Sequence, residues 1–366
     1  MSIFVLMAGG TGGHLFPAMA LAQELRRRGH EIHLMTDHRV ASYGQEFPAR
    51  ETHIIPSATP SVRNPIKLAG ATLRLMAGVA VAGGKLRRIR PAAVVAFGGY
   101  PVVPSFMAAR MLRIPGILHE ANAVMGRANR ALAGRASKIA LSFAKTQHAE
   151  GLADKSVVTG NPVRDRVLAV ASTPYPELAG DSPLRLVITG GSQGARALSE
   201  LVPPAIATLP EPLRHRLRIA QQCRPEDLDS VAEIYRRMKV NVDLQPFFTD
   251  LPERMAAAHL VIARAGASTI AELTVLGRPA ILVPLPGALD GDQKNNALLI
   301  DRAKAGWIVE QATISPPSLA NRLASLFGDP DDLKAAAAAA KSLGQPQAVD
   351  KLANLVEEVA GRGKTI

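Results

Sequence analysis

Short apolar runs, separated by longer stretches with a helical repeat, make up most of the chain. In the first half they fall at residues 3–8, 32–36, 52–55, 93–97, 116–119, 139–141 and 156–159. In the second half they fall at 184–189, 218–221, 240–244, 260–263 and 280–283. Strands with one solvated face alternate apolar and polar positions, whereas these runs are apolar on both faces. That pattern belongs to parallel strands covered by helices on either side.

The pattern also occurs twice in its most specific form. The run at 3–8 leads into the glycine-rich turn Gly9–Gly13 and then a helical stretch to Arg28. The run at 184–189 leads into Gly190–Gly194 and a helical stretch from Ala195. Between them, residues 169–182 are rich in Pro, Ser and Gly and weak in pattern, as a linker is. The expected fold class is therefore α/β, with two doubly wound Rossmann-like domains facing a cleft and ligands at the carboxyl ends of strands. The expected domains are residues 1–165, a linker at 166–183, and residues 184–345. The Ala- and Leu-rich tail reads as helices, the last of which (346–361) is expected to pack back on the first domain.

Length and composition agree with two domains. The 366 residues exceed one ordinary domain. A hydrophobic fraction of 47% with only 4% aromatics implies cores of Ala, Val, Leu and Ile. The single cysteine, Cys223, cannot form an internal disulfide and suits a reducing compartment. The first apolar run has no basic residues before it and stops at Gly9, unlike a secretion signal. The most apolar stretch, 75–84, lies between Arg74 and Lys85 and is far short of the ~20 residues of a membrane span.

Charge changes the picture more. Residues 1–165 hold 21 lysines and arginines against 9 acids, while the remainder holds 22 of each. No acidic residue stands between Glu51 and Glu120, yet that interval contains Arg63, Lys67, Arg74, Lys85, Arg87, Arg88, Arg90, Arg110 and Arg113. Such an interval faces something anionic. With few aromatics to stack bases and no nucleic-acid motif, the expectation is an anionic membrane surface and no nucleic acid. On a helix over 66–90, Lys67 and Arg74 share a face. Leu68, Leu75, Val79 and Ala82 give an apolar sector beside it, and Lys85, Arg87, Arg88 and Arg90 cluster at the end.

The candidate chemistry sits where strands end. In GGTGGH (Gly9–His14), glycines let the backbone approach a phosphate or sugar, and the helix start favours negative charge. The spacing is not that of dinucleotide folds, and only Asp37 stands where their acidic residue would be. In TGGSQGA (Thr189–Ala195), Ser192 and Gln193 add side-chain donors to the backbone amides, so a diphosphate can rest there without a metal. In RAGASTIAE (264–272), Ser268 reads as a helix N-cap and Glu272, one turn later, as a carboxylate for ribose hydroxyls. The Pro-, Gly- and Asp-rich segment 284–296 reads as a loop, with Gln293 and Asn296 able to read sugar hydroxyls. Asp290-Gly291-Asp292 within it resembles a metal-binding pair, but no further carboxylate or histidine cluster supports one. The expectation is thus no metal and no cofactor. FGGYP (97–101), HEAN (119–122) and GNPVR (160–164) end first-half strands, the last with Arg164 at a domain border.

These motifs, in this order and spacing over most of the chain, resemble the peptidoglycan N-acetylglucosaminyltransferases. The resemblance implies the glycosyltransferase-B fold and inverting, metal-free transfer of N-acetylglucosamine. The donor would be UDP-N-acetylglucosamine. The acceptor would be an undecaprenyl-diphosphate-linked muramoyl-pentapeptide at the cytoplasmic face of the cell membrane, and cell-wall synthesis proteins would be partners. It implies that Thr11, Gly12, Gly13 and Asn122 meet the transferred sugar, with Gln293 touching it too. Arg164 and Ser192, beside Gln193, would serve the diphosphate. Ala267, Ser268, Thr269, Ile270, Ala271 and Glu272 would hold nucleoside and ribose, and the backbone of Phe248 the uracil. The family's trio ending in glutamine is Gly291-Asp292-Gln293 here.

An inverting transfer needs a base for the acceptor hydroxyl. His14, at a helix start beside the glycine turn, is the catalytic candidate. A packing role for His14 stands beside that reading, and His119 with Glu120 is the other candidate base. A UDP-N-acetylglucosamine 2-epimerase, another glycolipid glycosyltransferase and a non-catalytic nucleotide- or nucleic-acid-binding protein are the competing functions.

Overall fold

The computed structural model describes residues 1–39, 47–58, 65–191, 195–288 and 290–362, with the side chains of 65–68 and 362 outside that description. The chain divides into two compact units, Met1–Asp165 with Pro346–Ile366, and Arg166–Gln345.

The first unit opens with β1 (Ile3–Met7), α1 (Gly12–Arg27), β2 (Glu31–Thr36) and β3 (Glu51–Ile54). There follow α2 (Pro65–Ile89), β4 (Ala93–Ala96), α3 (Val102–Met111), β5 (Gly116–Glu120), α4 (Arg127–Ala133), β6 (Lys138–Leu141) and β7 (Ser156–Val158). The seven strands form one parallel sheet in the order β3-β2-β1-β4-β5-β6-β7. The order reverses between β1 and β4, the switch point where the chain leaves the sheet in opposite directions and opens a crevice.

A short helix, α5 (Asp165–Ala169), lies at the border. The second unit then runs β8 (Leu184–Thr189), α6 (Arg196–Ala207), α7 (Glu211–Arg216), β9 (Leu217–Gln222), α8 (Leu228–Arg237), β10 (Asn241–Gln245) and α9 (Leu251–Ala256). It continues with β11 (Leu260–Ala263), α10 (Ala267–Leu276), β12 (Ala280–Leu282), α11 (Asp292–Arg302), β13 (Gly306–Ile308), α12 (Pro316–Gly328) and α13 (Pro330–Ser342). Its parallel sheet has the order β10-β9-β8-β11-β12-β13, with the switch point between β8 and β11.

The last helix, α14 (Ala348–Arg362), belongs to the first unit. Leu352, Ala353, Val356, Val359 and Ala360 recur at helical spacing and are buried beside Leu21, Leu25 and Phe4. Glu357 fixes its register, accepting from Arg28 at 2.8 Å and lying 2.8 Å from His30 Nε2. The other face of the sheet is covered by α2 and α3, with Ala82, Leu86, Val102 and Phe106 in its core. Gly78 lets α2 cross close to the chain after β3, because a Cβ there would stand 2.1 Å from the Pro56 carbonyl oxygen.

The segment after α5, expected as a linker, is packed on the second unit. Arg278, almost fully buried, donates to the carbonyls of Thr173 at 3.1 Å and Pro174 at 2.8 Å. Lys341 reaches the Ala171 carbonyl at 2.7 Å. Among the described residues no helix is long and apolar enough to cross a membrane.

Candidate active site

In the first unit the site grows from the β1/β4 switch point. β1 ends at Met7 and the chain turns through Gly9 and Gly10 into α1, whose first residue is Gly12. The turn closes on itself, Thr11 N donating to Gly9 O at 2.8 Å, and ties to the loop after β4 through Gly9 N and Gly98 O at 3.3 Å. His14 stands in the first turn of α1, against that second loop. Gly98 and Gly99 both have positive φ, 94° and 82°. A Cβ at Gly98 would lie 3.1 Å from His14 Cε1, and one at Gly99 3.3 Å from His14 Cδ2. The imidazole therefore sits in a cradle that only glycines leave open, which is the physical content of the FGG motif.

β5 delivers His119 and Glu120, and neither is placed as a base. His119 is fully buried, lies 3.3 Å from the Gly160 carbonyl oxygen through Nε2, and packs on Phe97 at 5.2 Å. Burial pushes its pKa down to about 4, with His14 nearby adding to the effect. It is neutral at physiological pH and donates that Nε2 proton to the carbonyl. Glu120 is equally buried and spends both oxygens inside the unit. Oε1 accepts from the backbone N–H and side-chain Nδ2 of Asn122, at 2.9 and 3.2 Å. Oε2 accepts from Gly126 N at 2.9 Å and Asn129 Nδ2 at 2.8 Å. Burial raises the Glu120 pKa against those four bonds, which favour the charged form. The fallback base pair is thus a structural pair, and His14 remains the candidate. Arg164 is held over the Phe16 ring of α1, its guanidinium carbon 4.3 Å from the centroid, so it is carried by the same helix as the glycine turn.

In the second unit β8 ends at Thr189, whose hydroxyl donates to Gln222 at 2.9 Å and accepts from Gly191 N at 3.3 Å. Gly191 has φ 78°. Ser192 and Gln193 lie outside the described residues.

The neighbouring strand β11 leads to Gly266, which takes an extended conformation (φ −66°, ψ 144°) and is itself the N-cap of α10. Ser268 is therefore the second residue of the helix and not its cap. A glycine turns the corner before any side-chain cap is needed. Ser268 and Glu272 share a face one turn apart. Glu272 is buried, Ser268, Thr269 and Ala271 are partly open, and the side chains of Ala267 and Ile270 point into the core. Phe248 is buried under Arg254, whose guanidinium is 4.3 Å from the ring centroid, so only its backbone can serve a ligand.

The segment 284–296 is a loop only in part, because α11 begins at Asp292. Gln293 is partly open, and its Oε1 accepts from Leu285 N at 2.9 Å, which directs the amide nitrogen the other way. Asn296 is fully buried and donates to the Ala265 carbonyl at 3.2 Å. It ties α11 to the turn before α10 and does not read a sugar. Arg264, buried and donating to the carbonyls of Val283 and Pro284 at 3.0 and 3.3 Å, ties that turn to the next loop. Asp292, the first residue of α11 after its N-cap Gly291, accepts from Gln293 N at 2.9 Å. Among the described residues the close grouping of His, Cys, Asp and Glu lies elsewhere, at His33, Glu51 and His53.

Three supporting residues escaped the sequence reading: Asn129, Phe16 and Arg264. Asn129 lies on α4, away from any motif, and Phe16 looks like an ordinary core residue. Arg264 opens the RAGASTIAE motif, but nothing in its type says it points inward.

Two parallel-sheet units, each with a glycine turn at its switch point, form a double Rossmann-like architecture with ligand positions at the strand ends, and comparison with known proteins specifies the class. Residues 4–141 match the glycosyltransferase family 28 N-terminal domain and residues 185–352 its C-terminal domain. The chain is a glycosyltransferase of family 28.

It is 55% identical over 360 residues to the UDP-N-acetylglucosamine--N-acetylmuramyl-(pentapeptide) pyrophosphoryl-undecaprenol N-acetylglucosamine transferase of Methylobacterium sp. (strain 4-46), covering 98% of this chain and 97% of the relative. Among solved structures it resembles MurG of Acinetobacter baumannii, with a TM-score of 0.75 and 30% identity over 97% of this chain and 99% of that one. With these relatives it belongs to the MurG family. The UDP-N-acetylglucosamine 2-epimerase of Neisseria meningitidis, at 14% identity and a TM-score of 0.67 over 99% of this chain and all of that one, shares the fold alone.

Proposed function

We propose that the chain transfers N-acetylglucosamine from UDP-N-acetylglucosamine to the 4-hydroxyl of a polyprenyl-diphosphate-linked muramoyl-pentapeptide, with inversion. The observation that carries this reading is the seat of His14, an imidazole on the first turn of α1 held by Gly98 and Gly99. His14 takes the proton of the acceptor hydroxyl, whose oxygen attacks the anomeric carbon as the bond to the diphosphate oxygen breaks. Thr11, Gly12 and Gly13 offer backbone to the sugar and Asn122 its amide. Negative charge developing on UDP is met by Arg164 and by the N-terminus of α6 with Ser192 and Gln193. Glu272 accepts from the ribose hydroxyls, the backbone of Phe248 meets the uracil, and Gln293 meets the sugar through its amide nitrogen. None of these roles requires a metal.

The acceptor lies in a membrane, and the first unit carries a surface suited to meeting it. On α2, Leu73 and Met76 are 67% and 64% exposed, and Met111 at the end of α3 is 71% exposed. Exposed Arg74, Arg87, Arg88, Arg90, Arg110 and Arg113 lie on the same helices or directly after them. The apolar edge differs from the one expected. Ala71, Ala82 and Leu86 face the core and Val79 packs against it, because the stripe at i, i+4, i+7 is the one that meets α3. Lys85 also leaves the basic cluster, its Nζ turned to His53 Nδ1 at 3.2 Å. The reading is peripheral attachment to the cytoplasmic face of the cell membrane.

Incubation with UDP-N-acetylglucosamine, with and without the lipid-linked acceptor, tests the proposal. UDP release that depends on acceptor supports it. UDP or epimer released without acceptor identifies an epimerase, and no release with acceptor identifies a binding module.

A further inference from the structure

The edge of the first sheet holds a row of titratable side chains that the transfer reaction does not use. β2 and β3 pair in parallel, with His33 opposite Glu51 and Met35 opposite His53. Side chains two apart share a face, so Glu31, His33, Glu51 and His53 project to the side where Met35 packs with Ala82 and Leu86 of α2. Both imidazoles are buried, at 6% and 4% exposure. Their rings lie within 6° of parallel, and His33 Nδ1 is 3.1 Å from His53 Nε2. The centroids are 5.4 Å apart, which is that distance plus the two ring radii, so the rings lie end to end. Two nitrogens facing one another in line make an N–H···N hydrogen bond.

The neighbours fix which nitrogens carry protons. His33 Nε2 stands 3.0 Å from Glu31 Oε1, and Glu31 is itself held by Arg50 at 2.6 Å. Those bonds to His33 and Arg50 hold the Glu31 carboxyl below the usual carboxylate range. The His33 proton is therefore on Nε2, and its Nδ1 accepts from His53 Nε2–H. The far nitrogen of the pair, His53 Nδ1, is where a further proton can enter. Two opposite charges meet there, Lys85 Nζ at 3.2 Å and Glu51 Oε1 at 3.2 Å. A neutral ring has only a lone pair at that nitrogen, so it accepts from Lys85 and has nothing to give Glu51. A protonated ring has only an N–H there, so it donates to Glu51 and can accept nothing from Lys85.

We propose that one proton exchanges Lys85 for Glu51 at His53 Nδ1, and that Lys85 then turns outward as a further cation of the lipid-facing surface on α2. The proton comes from water and enters at Nδ1, the bond between the two rings is kept, and the Lys85 ammonium stays charged throughout. One carboxylate then faces two cations. The imidazolium is buried and keeps it, while Lys85 is only half-buried and reaches solvent. Arg88, one turn further on, shares the face of Lys85, and Arg87 and Arg90 stand beside it, all exposed. No acidic residue occurs on α2 or elsewhere between Glu51 and Glu120, so the released ammonium suits an anionic lipid phosphate. The charges acting on His53 are Glu51 on its own strand, Lys85 on α2 and His33 on β2, with Glu31 and Arg50 one ring further away. Burial lowers the His53 pKa below the ordinary value near 6.5, Glu51 opposes this, and Lys85 and His33 add to it. The exchange therefore runs in mildly acidic conditions. An anionic membrane concentrates protons at its surface, so approach to it favours the released state. The lipid part rests on the reading of α2 as a membrane face, and the exchange itself does not.

The first test needs no membrane. Proton–nitrogen NMR of the full chain follows the ring nitrogens of His53 from about pH 8 to about pH 5. Lys85→Met removes the opposing cation and should raise the pH at which Nδ1 takes its proton. Glu51→Gln removes the favouring carboxylate and should lower it. Movements in opposite directions are a readout that loss of structure cannot imitate. The same titration in the parent and both variants overturns the exchange. The second test is co-sedimentation with vesicles of phosphatidylcholine and phosphatidylglycerol at about pH 7.5 and about pH 5.5. At the higher pH Lys85→Met should bind like the parent, because His53 holds Lys85 there. At the lower pH it should bind about 5-fold more weakly, the effect of one cation near an anionic surface. Equal weakening at both pH values makes Lys85 a permanent surface cation, and no weakening at either keeps it off the lipid. Each of those results overturns the release. A parent that sediments at neither pH overturns the lipid part together with the reading of α2, and the NMR titrations tell that failure from a failure of the exchange.

Discussion

Glu120 Oε1 accepts from both the main-chain N–H and the side-chain Nδ2 of Asn122, so one buried carboxylate sets the orientation of the residue assigned to the sugar. The Asn122 amide nitrogen is turned inward to Glu120, and its oxygen lies on the opposite side of the group. Asn122 therefore meets a ligand as a hydrogen-bond acceptor, suited to a sugar hydroxyl or an acetamido N–H.

Glu120→Gln replaces one accepting oxygen with an NH2 that faces N–H donors. A buried donor left unpaired costs about 1–3 kcal/mol. The expected outcome is a ~10–100-fold loss in kcat/KM for the donor, with the Tm lowered by several degrees. Asn122→Asp, which keeps an acceptor on both sides but loses the donor to Glu120, should lose as much. Unchanged kinetics in both variants would remove Glu120 from the positioning role.

His14→Ala should lower kcat by ~10²–10⁴, the range for a lost general base, with donor binding nearly intact. The glycine cradle supplies an independent check. Gly99→Ala puts a Cβ 3.3 Å from the imidazole at a backbone φ of 82°. It should lower kcat through displacement of His14, without touching the donor site of the second unit. A fall of less than tenfold in His14→Ala assigns the imidazole to packing alone.

Much of this was legible in the sequence, and what was not has definite causes. Strands buried on both faces leave continuous apolar runs, so β1, β4, β8 and β11 stand out, and the glycine turns follow them. β13, with only Gly306, Trp307 and Ile308, is too short for any pattern. The start of α10 was misplaced by two residues because cap preference points to Ser268, while Gly266 makes the corner by backbone geometry. Asn296 read as a loop residue because Pro, Gly and Asp precede it, and loop composition does not say where the next helix starts. The apolar sector of α2 was misjudged for a related reason. A helical repeat locates faces relative to one another, but the helix that packs against it decides which face is buried.

His119 makes stability depend on pH in a definite direction. Its pKa in the folded chain is about 4, below the ordinary histidine value near 6.5. Above pH 6.5 neither state is charged there. Below it the unfolded chain takes a proton that the folded chain refuses. Stability is therefore fully present above pH 6.5 and falls as pH drops toward 4, by up to about 3 kcal/mol. Denaturant titrations at pH 7.5 and 5 should show this loss in the parent. His119→Gln retains a donor for the Gly160 carbonyl but cannot titrate, and the loss should shrink in it. An equal loss in both would place the effect on other groups.

Glu272→Ala should raise the KM for UDP-N-acetylglucosamine, with a loss of ~1.5–3 kcal/mol for hydrogen bonds to a charged group. The residue lies one turn into α10 on the same face as Ser268, so Ser268→Ala should act in the same direction and by less. The readout is the split between KM and kcat, since a ribose contact made equally in ground and transition states leaves kcat in place. An unchanged KM would free α10 from the nucleoside role.

Attachment to membranes should have two separable parts, because cations and exposed apolar side chains act on α2 in different ways. Arg87, Arg88 and Arg90 are exposed at its end, and each cation near an anionic surface contributes about 1 kcal/mol, weakened by salt. Leu73 and Met76, both more than 60% exposed, contribute by burial in the interface, which salt does not screen. Co-sedimentation with vesicles separates them. The triple variant R87Q/R88Q/R90Q should lose its preference for anionic over zwitterionic vesicles. L73S/M76S should keep that preference at low salt yet release from the vesicles at high salt, where the parent still sediments. Neither variant touches Lys85, which is turned to His53, nor any residue assigned to transfer. Turnover on a detergent-solubilised, short-chain acceptor should therefore match the parent in both. Sedimentation like the parent by both variants, at every salt concentration, would move the docking surface away from α2.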